Sequence, residues 1–128
     1  MEIINPSSVK KAISDGRHQV FVSFIGCGSG LHFSKGAMED FLLTEGMRLV
    51  FAIDLGRLYF YITDKKDEGF KIYDNSRHGG HLFGRVLINT IHSRLPSTKK
   101  KGMRFPVRAS NTRINDCATF EILIDKKL

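Results

Sequence analysis

The sequence predicts an α+β protein, with a largely antiparallel sheet and two to three helices on one face of it. Two long segments, at residues 46–62 and 102–124, alternate apolar and other residues, the period-two pattern of half-buried strands. Shorter segments repeat their apolar residues at helical spacing instead. The length, 128 residues, suits a single globular domain over residues 1–128, and a hydrophobic content of 41% is ordinary for such a domain.

The strongest strand signal lies at residues 46–62, GMRLVFAIDLGRLYFYI. Apolar residues alternate with others on both sides of Asp54-Leu55-Gly56, which has the composition of a turn. We therefore expect an antiparallel hairpin with one apolar face. The apolar face carries Met47, Leu49, Phe51, Ile53, Leu58, Phe60 and Ile62. The opposite face carries Arg48, Arg57, Tyr59 and Tyr61.

The second half of the chain repeats the order of elements in the first half. Residues 46–49, GMRL, return as residues 102–105, GMRF, at the start of a second predicted hairpin that turns between Ser110 and Asp116. A strand and a helix-like segment precede each hairpin. These similarities predict two β-α-β-β units, over residues 30–63 and 69–125, related by a pseudo-twofold axis.

Four further segments complete the predicted elements. A short helix is expected over residues 7–16, followed by a strand at 19–25 that is apolar on both faces and therefore central. Ser34 is a predicted N-cap for a helix over residues 34–43. The most regular helical pattern covers residues 81–95 and is ended by Pro96.

Residues 32–54, HFSKGAMEDFLLTEGMRLVFAID, resemble the strand-helix-EG-strand pattern of AbrB-like DNA-binding proteins. The resemblance runs from these residues onward and covers about a quarter of the chain. AbrB-like domains intertwine as dimers, so the resemblance implies DNA binding and dimerisation. The long basic second half departs from that compact pattern, and we carry over no individual residue from it.

The charge is unevenly distributed along the chain. The net charge is +7, yet residues 1–68 hold 8 Lys/Arg and 9 Asp/Glu, whereas residues 69–128 hold 12 and 4. A basic field on one part of a protein favours polyanions: nucleic acid first, then an acidic membrane or an acidic protein. We expect nucleic acid to be the partner.

Outward-facing residues of the predicted strands combine cations with tyrosines, and a Lys-rich loop lies at their rim. Cations follow phosphates while flat rings stack on unpaired bases, so this combination predicts a protein that binds single-stranded DNA or RNA. If helices cover the tyrosine side, the alternative is a structural or regulatory protein that acts by self-association or protein contacts. The predicted nucleic-acid-binding residues are Arg48, Arg57, Tyr59, Tyr61, Lys71, Tyr73, Lys99, Lys100, Lys101, Arg104 and Arg108.

Signals for catalysis are weak. The loop at residues 26–30, GCGSG, could cradle phosphate or present Cys27 as a nucleophile, but it lacks the lysine of a P-loop, and a plain hairpin connection is the favoured interpretation. A nucleophilic pair would need His32 or His81 beside Cys27, and the carboxylates fall in no catalytic motif. We expect a non-catalytic protein without a cofactor.

Histidine and cysteine spacing favours no metal site. His78 and His81 are separated by two residues, but no cysteine or third histidine lies close to them in sequence. Cys27 and Cys117 are interpreted as thiols, with a disulfide as the less favoured alternative. The apolar runs are too short to span a bilayer and no secretion leader begins the chain, so we expect a cytoplasmic protein with no membrane partner. A tyrosine-rich sheet face is also a good dimer surface, so we expect a homo-oligomer.

Overall fold

The computed structural model describes residues 19–25, 29–75, 78–99 and 103–126, and the helix predicted over residues 7–16 lies outside them. Within the described residues the chain forms eight strands, two α-helices and one short 3₁₀ helix at Pro96–Lys99. None of the helices in these ranges is long and apolar enough to cross a membrane. The elements are β1 Phe21–Phe24, β2 Gly30–Phe33, α1 Lys35–Asp40, β3 Arg48–Asp54, β4 Arg57–Thr63, β5 Phe70–Asn75, β6 Gly79–Phe83, α2 Arg85–Arg94, β7 Arg104–Ile114 and β8 Cys117–Ile122.

The eight strands close into a barrel. Their order around it is β1-β2-β6-β5-β3-β4-β8-β7, with β7 pairing back onto β1, and each of these pairings is antiparallel. The predicted α+β character, with a largely antiparallel sheet and two helices, is confirmed. The expectation that helices cover one face of the sheet is wrong, because the sheet closes on itself and its inner face lines the interior of the barrel.

The two helices lie at opposite ends of the barrel. Because all neighbours are antiparallel, β2 and β6 run in opposite directions, so the helices that follow them leave from opposite ends. α1 connects β2 to β3 and contacts β6 and β1, while α2 connects β6 to β7 and contacts β2. Each helix therefore covers one mouth of the barrel, and both helices contribute buried residues to the core, among them Met38 and Ile88.

Ser34 anchors the first helix to the first strand. Its Oγ accepts hydrogen bonds from the backbone N–H of Ala37, at 3.1 Å, and of Phe21, at 3.0 Å, and donates to the carbonyl of Gln19 at 2.7 Å. The predicted N-cap is thus confirmed. α1 ends at Asp40, two residues before Leu42, whose φ of 55° stops the helical conformation.

The predicted central hairpin is confirmed as β3 and β4. Leu49, Leu58 and Phe60 are fully buried and point into the barrel, where the ring of Phe60 packs edge-on against Phe33 with a centroid separation of 5.5 Å. The chain reverses at Leu55 and Gly56, whose φ values of 50° and 74° give the mirror-image turn that matches the twist of a hairpin.

Two sequence predictions of element boundaries are wrong. Residues 81–83 were assigned to the helix over 81–95, but they belong to β6, because Leu82 is buried between Leu31 and Ile72 of the neighbouring strands. The turn predicted between Ser110 and Asp116 is only its last two residues. β7 continues to Ile114, with an irregular register between residues 109 and 113 that bends the strand.

Candidate functional site

The tyrosines of the predicted binding face are buried. Tyr59 is 4% exposed and Tyr61 is 5% exposed. Both alternate along β4 with the core residues Leu58 and Phe60 and do not themselves belong to the hydrophobic core of the barrel, yet they are buried. The hydroxyl of Tyr61 accepts a hydrogen bond from Nδ2 of Asn115 at 3.1 Å, and Tyr59 lies between Ala52 and Glu121 on the neighbouring strands. The expectation that these two rings are open to solvent is therefore wrong.

The predicted cations lie on the outside of the barrel at separate places. Nη1 of Arg48 donates to the carbonyl of Gly69 at 3.3 Å, while Arg57 and Arg108 flank the carboxylate of Glu121. The structure brings Arg48 and Lys71 together as cross-strand partners. Lys71, Lys99 and Arg104 are exposed, and Lys100 and Lys101 lie outside the described residues.

Aromatic rings form a continuous row across four strands. We call this the aromatic band, and it consists of Phe21 on β1, His32 on β2, His81 and Phe83 on β6, and Tyr73 on β5. The ring centroids of Phe21 and His32 are 6.0 Å apart, those of His32 and His81 5.0 Å, and those of His81 and Phe83 6.2 Å, with the last pair nearly parallel. Tyr73 lies 6.2 Å from Phe83.

Two members of the aromatic band are open to solvent. Tyr73 is 48% exposed and Phe83 is 54% exposed, which is unusual for large aromatic side chains on one small surface. Lys71 lies two residues before Tyr73 on the same face of β5. At the other end of the band, the guanidinium of Arg104 lies 4.6 Å from the ring centroid of Phe21. The band thus has a cation at each end.

Histidines form the middle of the aromatic band. His32 and His81 are cross-strand partners, and Nε2 of His32 is in hydrogen-bond contact with the carbonyl of His78. Burial, followed by the nearby charges of His32 and His78, lowers the pKa of His81 below 6.5. The surroundings of His81 therefore favour its neutral form, and its ring adds to the flat aromatic surface.

His92 makes packing and hydrogen-bond contacts at one end of the barrel. Its Nδ1 is 2.7 Å from Oγ1 of Thr98, which also donates to the carbonyl of Leu95, and its ring centroid lies 4.8 Å from that of Phe24. Burial and the charge of Lys99 lower its pKa. These contacts fasten the 3₁₀ helix after α2 to the end of the barrel.

Side chains that could ligate a metal or act as thiols were compared within the described ranges. No group of three or more His, Cys, Asp or Glu side chains there is placed to hold a metal ion. Cys117 is a free thiol, and Cys27 lies outside the described residues, so the nucleophilic pairs considered for it have no described geometry.

Four of the five members of the aromatic band were not predicted from the sequence. His81 and Phe83 were assigned to a helix, and once residues 79–83 are a strand the two side chains share one face. His32 alternates with the fully buried Leu31 and Phe33, a pattern that could have identified it as an outward residue. Phe21 carried no signal, because its strand is apolar on both faces.

Comparisons with known protein families, with curated proteins and with solved structures found no match to this chain. The resemblance to AbrB-like proteins therefore stays a prediction from residues 32–54 alone.

Proposed function

We propose that the protein binds single-stranded nucleic acid, without catalysis, on the outside of the barrel at the aromatic band. The observation that carries the proposal is the exposure of Tyr73 and Phe83 beside each other, with Lys71 and Arg104 at the two ends of the band. Exposed rings offer stacking surfaces to unpaired bases, and the cations are placed to neutralise phosphates.

The shape of the surface favours a single strand over a duplex. The major groove of a duplex admits a helix or a two-stranded ribbon. The exposed rings instead belong to two adjacent strands, β5 and β6, in the wall of a closed barrel. Rings in such a wall can reach bases only where the bases are unpaired, since paired bases present their flat faces to one another.

The residues proposed for this interface differ in part from those predicted from the sequence. Lys71, Tyr73 and Arg104 remain from the predicted set, Arg48 stays as the neighbour of Lys71, and Phe83 and the two histidines join them. The roles assigned to the buried Tyr59 and Tyr61 are no longer part of it.

Self-association is a second candidate, because the same exposed aromatics could pack against another copy of the chain. Tyr and Phe are enriched at protein interfaces, and Phe83 is more than half exposed. On either candidate we propose a cytoplasmic protein, and we propose a homo-oligomer as the working form. Light scattering on the wild-type protein and on Phe83→Ala separates the two: a change in mass favours the interface between copies.

We further propose that the two halves of the chain are structural repeats, each of the form β-β-α-β-β. Exchanging β1–β4 with β5–β8 in order leaves every strand pairing of the barrel unchanged. The pairs Leu31–Leu82 and Tyr59–Glu121 would then lie on the axis. In this proposal the units span residues 21–63 and 70–122, so the first unit begins earlier than the residue 30 expected from the sequence.

The experiment that tests the function is fluorescence anisotropy with a labelled oligonucleotide, as a single strand and as a duplex, over a series of salt concentrations. We expect tighter binding to the single strand, with a logarithmic salt slope of about −0.7 for each phosphate contacted. Equal affinity for both forms would reduce the band to a general basic surface. No binding at low salt would refute nucleic-acid binding altogether.

A further inference from the structure

A cleft lined by cations lies on the side of the barrel away from the aromatic band. Its volume is about 600 Å³, and it opens beside the β3–β4 turn, between the end of α2 and the residues that follow β8. Arg57, Arg94, Arg108 and Lys126 come to it from four different parts of the chain. We call it the arginine cleft.

A buried carboxylate positions two of the arginines. The side chain of Glu121 is 8% exposed, with Nη2 of Arg108 3.4 Å from Oε1 and Nε of Arg57 4.0 Å from Oε2. The two arginine side chains are themselves about 60% exposed (61% and 58%), so each guanidinium has N–H groups left to face the cleft. One carboxylate thus holds two cations in place at the wall of the cleft.

The remaining charges leave the arginine cleft short of anions. Arg94 has no ion pair or hydrogen-bond partner for its side chain among the described residues. The four cationic residues face two carboxylates, Glu121 and Asp125, which leaves a surplus of about +2. A phosphate monoester carries about −1.5 to −2 at neutral pH and accepts paired hydrogen bonds from guanidinium groups, so it matches both the charge and the donors.

The apolar part of the lining indicates that the ligand is larger than phosphate. Leu95, Pro96, Leu123 and Ile124 also line the cleft, and its volume lies in the range of small-molecule sites. A phosphate beside the arginines would leave room for an attached organic group against these side chains.

We propose that the arginine cleft binds a phosphate monoester of the nucleotide class, either a free nucleoside monophosphate or the phosphorylated end of a nucleic-acid strand. The strand-end source rests on the proposed function, whereas a free nucleotide would bind even if the aromatic band bound nothing. The shared chemistry is a terminal phosphate dianion held by Arg57, Arg94 and Arg108.

The first test is calorimetry on the full chain with adenosine 5′-monophosphate and with adenosine. We expect the monophosphate to bind at least about tenfold more tightly than adenosine, since hydrogen bonds between charged groups are strong. Arg94→Ala should weaken the monophosphate by about tenfold. Arg85→Ala removes an exposed arginine at the other end of the same helix and should leave the affinity unchanged. Circular dichroism checks that both variants fold.

The second test compares an oligonucleotide that carries a 5′-phosphate with the same oligonucleotide without it. Tighter binding of the phosphorylated strand, lost in Arg94→Ala, assigns the cleft to strand ends. Monophosphate binding without any preference between the strands assigns it to free nucleotide. The proposal is overturned if neither probe responds to its phosphate, or if Arg94→Ala and Arg85→Ala behave alike. Failure of the proposed function is a separate result, in which neither strand binds at all.

Discussion

Removing the exposed rings of the aromatic band should weaken binding to single strands without changing its salt dependence. Tyr73→Ala and Phe83→Ala each delete one ring. A stacked base is worth about 1–3 kcal/mol, and because each ring is only about half exposed we take the lower end, about 1 kcal/mol. Each variant should then bind about fivefold more weakly, and the double variant up to about 30-fold.

The two effects are expected to couple. The ring centroids of Tyr73 and Phe83 lie 6.2 Å apart, and substitutions of neighbouring side chains are often not additive. Anisotropy titrations of both single variants and the double variant, each over the same salt series, measure the coupling. Since neither ring neutralises a phosphate, the salt slope should stay that of the wild-type protein.

Two controls make this prediction specific. Val86→Ala removes an apolar side chain that is 80% exposed but lies on α2, and it should leave the affinity unchanged. Arg104→Ala, unlike the ring variants, should change the salt dependence: the magnitude of the salt slope should fall by about 0.7, because one phosphate contact is lost. Wild-type affinity in the double variant, or a weakening equal to that of Val86→Ala, would refute the stacking role of the band.

Three further predictions concern the histidines, the cap and the core. Because its surroundings lower the pKa of His81, folding disfavours its charged form, so the free energy of unfolding should fall as the pH drops below 6.5; His81→Phe, measured by denaturant titration, should reduce this dependence. At lower pH, where His81 is protonated in the folded protein as well, the added positive charge on the band should tighten binding to the oligonucleotide, and this effect should also be smaller in His81→Phe. Ser34→Ala leaves the N–H groups of Phe21 and Ala37 without their acceptor, and chemical unfolding should show a loss of about 2 kcal/mol. Phe60→Ala removes a fully buried ring from the centre of the barrel and should cost about 3–5 kcal/mol, whereas Leu55→Ala at the exposed turn should cost almost nothing.

The β3–β4 hairpin could be predicted because neighbouring residues in the sequence determine its strands and its turn. Alternation sets which side chains of β3 and β4 share a face, and the turn at Leu55-Gly56 sets the register between the two strands. Closure of the barrel is not local. It depends on β1 pairing with β7, where Val22 lies opposite Phe105, more than eighty residues later in the chain. The pattern of apolar residues within β1 or β7 does not show which strand each of them pairs with.

The candidate site was predicted only in part, because local alternation shows which side chains share a face but tertiary contacts decide which face is exposed. Alternation separates Tyr59 and Tyr61 from the core side chains of β4, but it does not say whether the second face is covered. Tyr73 has the same signal in sequence, a tyrosine that alternates with apolar residues and follows a cation two residues earlier, and it is exposed. The difference lies in tertiary contacts, such as the bond from Asn115 to the hydroxyl of Tyr61, which a single sequence does not show.

Closure of the barrel also explains how cations from the second half of the chain come to lie beside aromatic rings from the first half. The excess of cations belongs to residues 69–128, whereas two rings of the band, Phe21 and His32, belong to the first half. Pairing of β1 with β7 places Arg104 directly over Phe21, and pairing of β2 with β6 brings His32 against His81. The basic half thereby supplies a cation to the rings of the neutral half. An open sheet with the same hairpins, but without these two pairings, would leave the cations and the aromatic rings on separate surfaces.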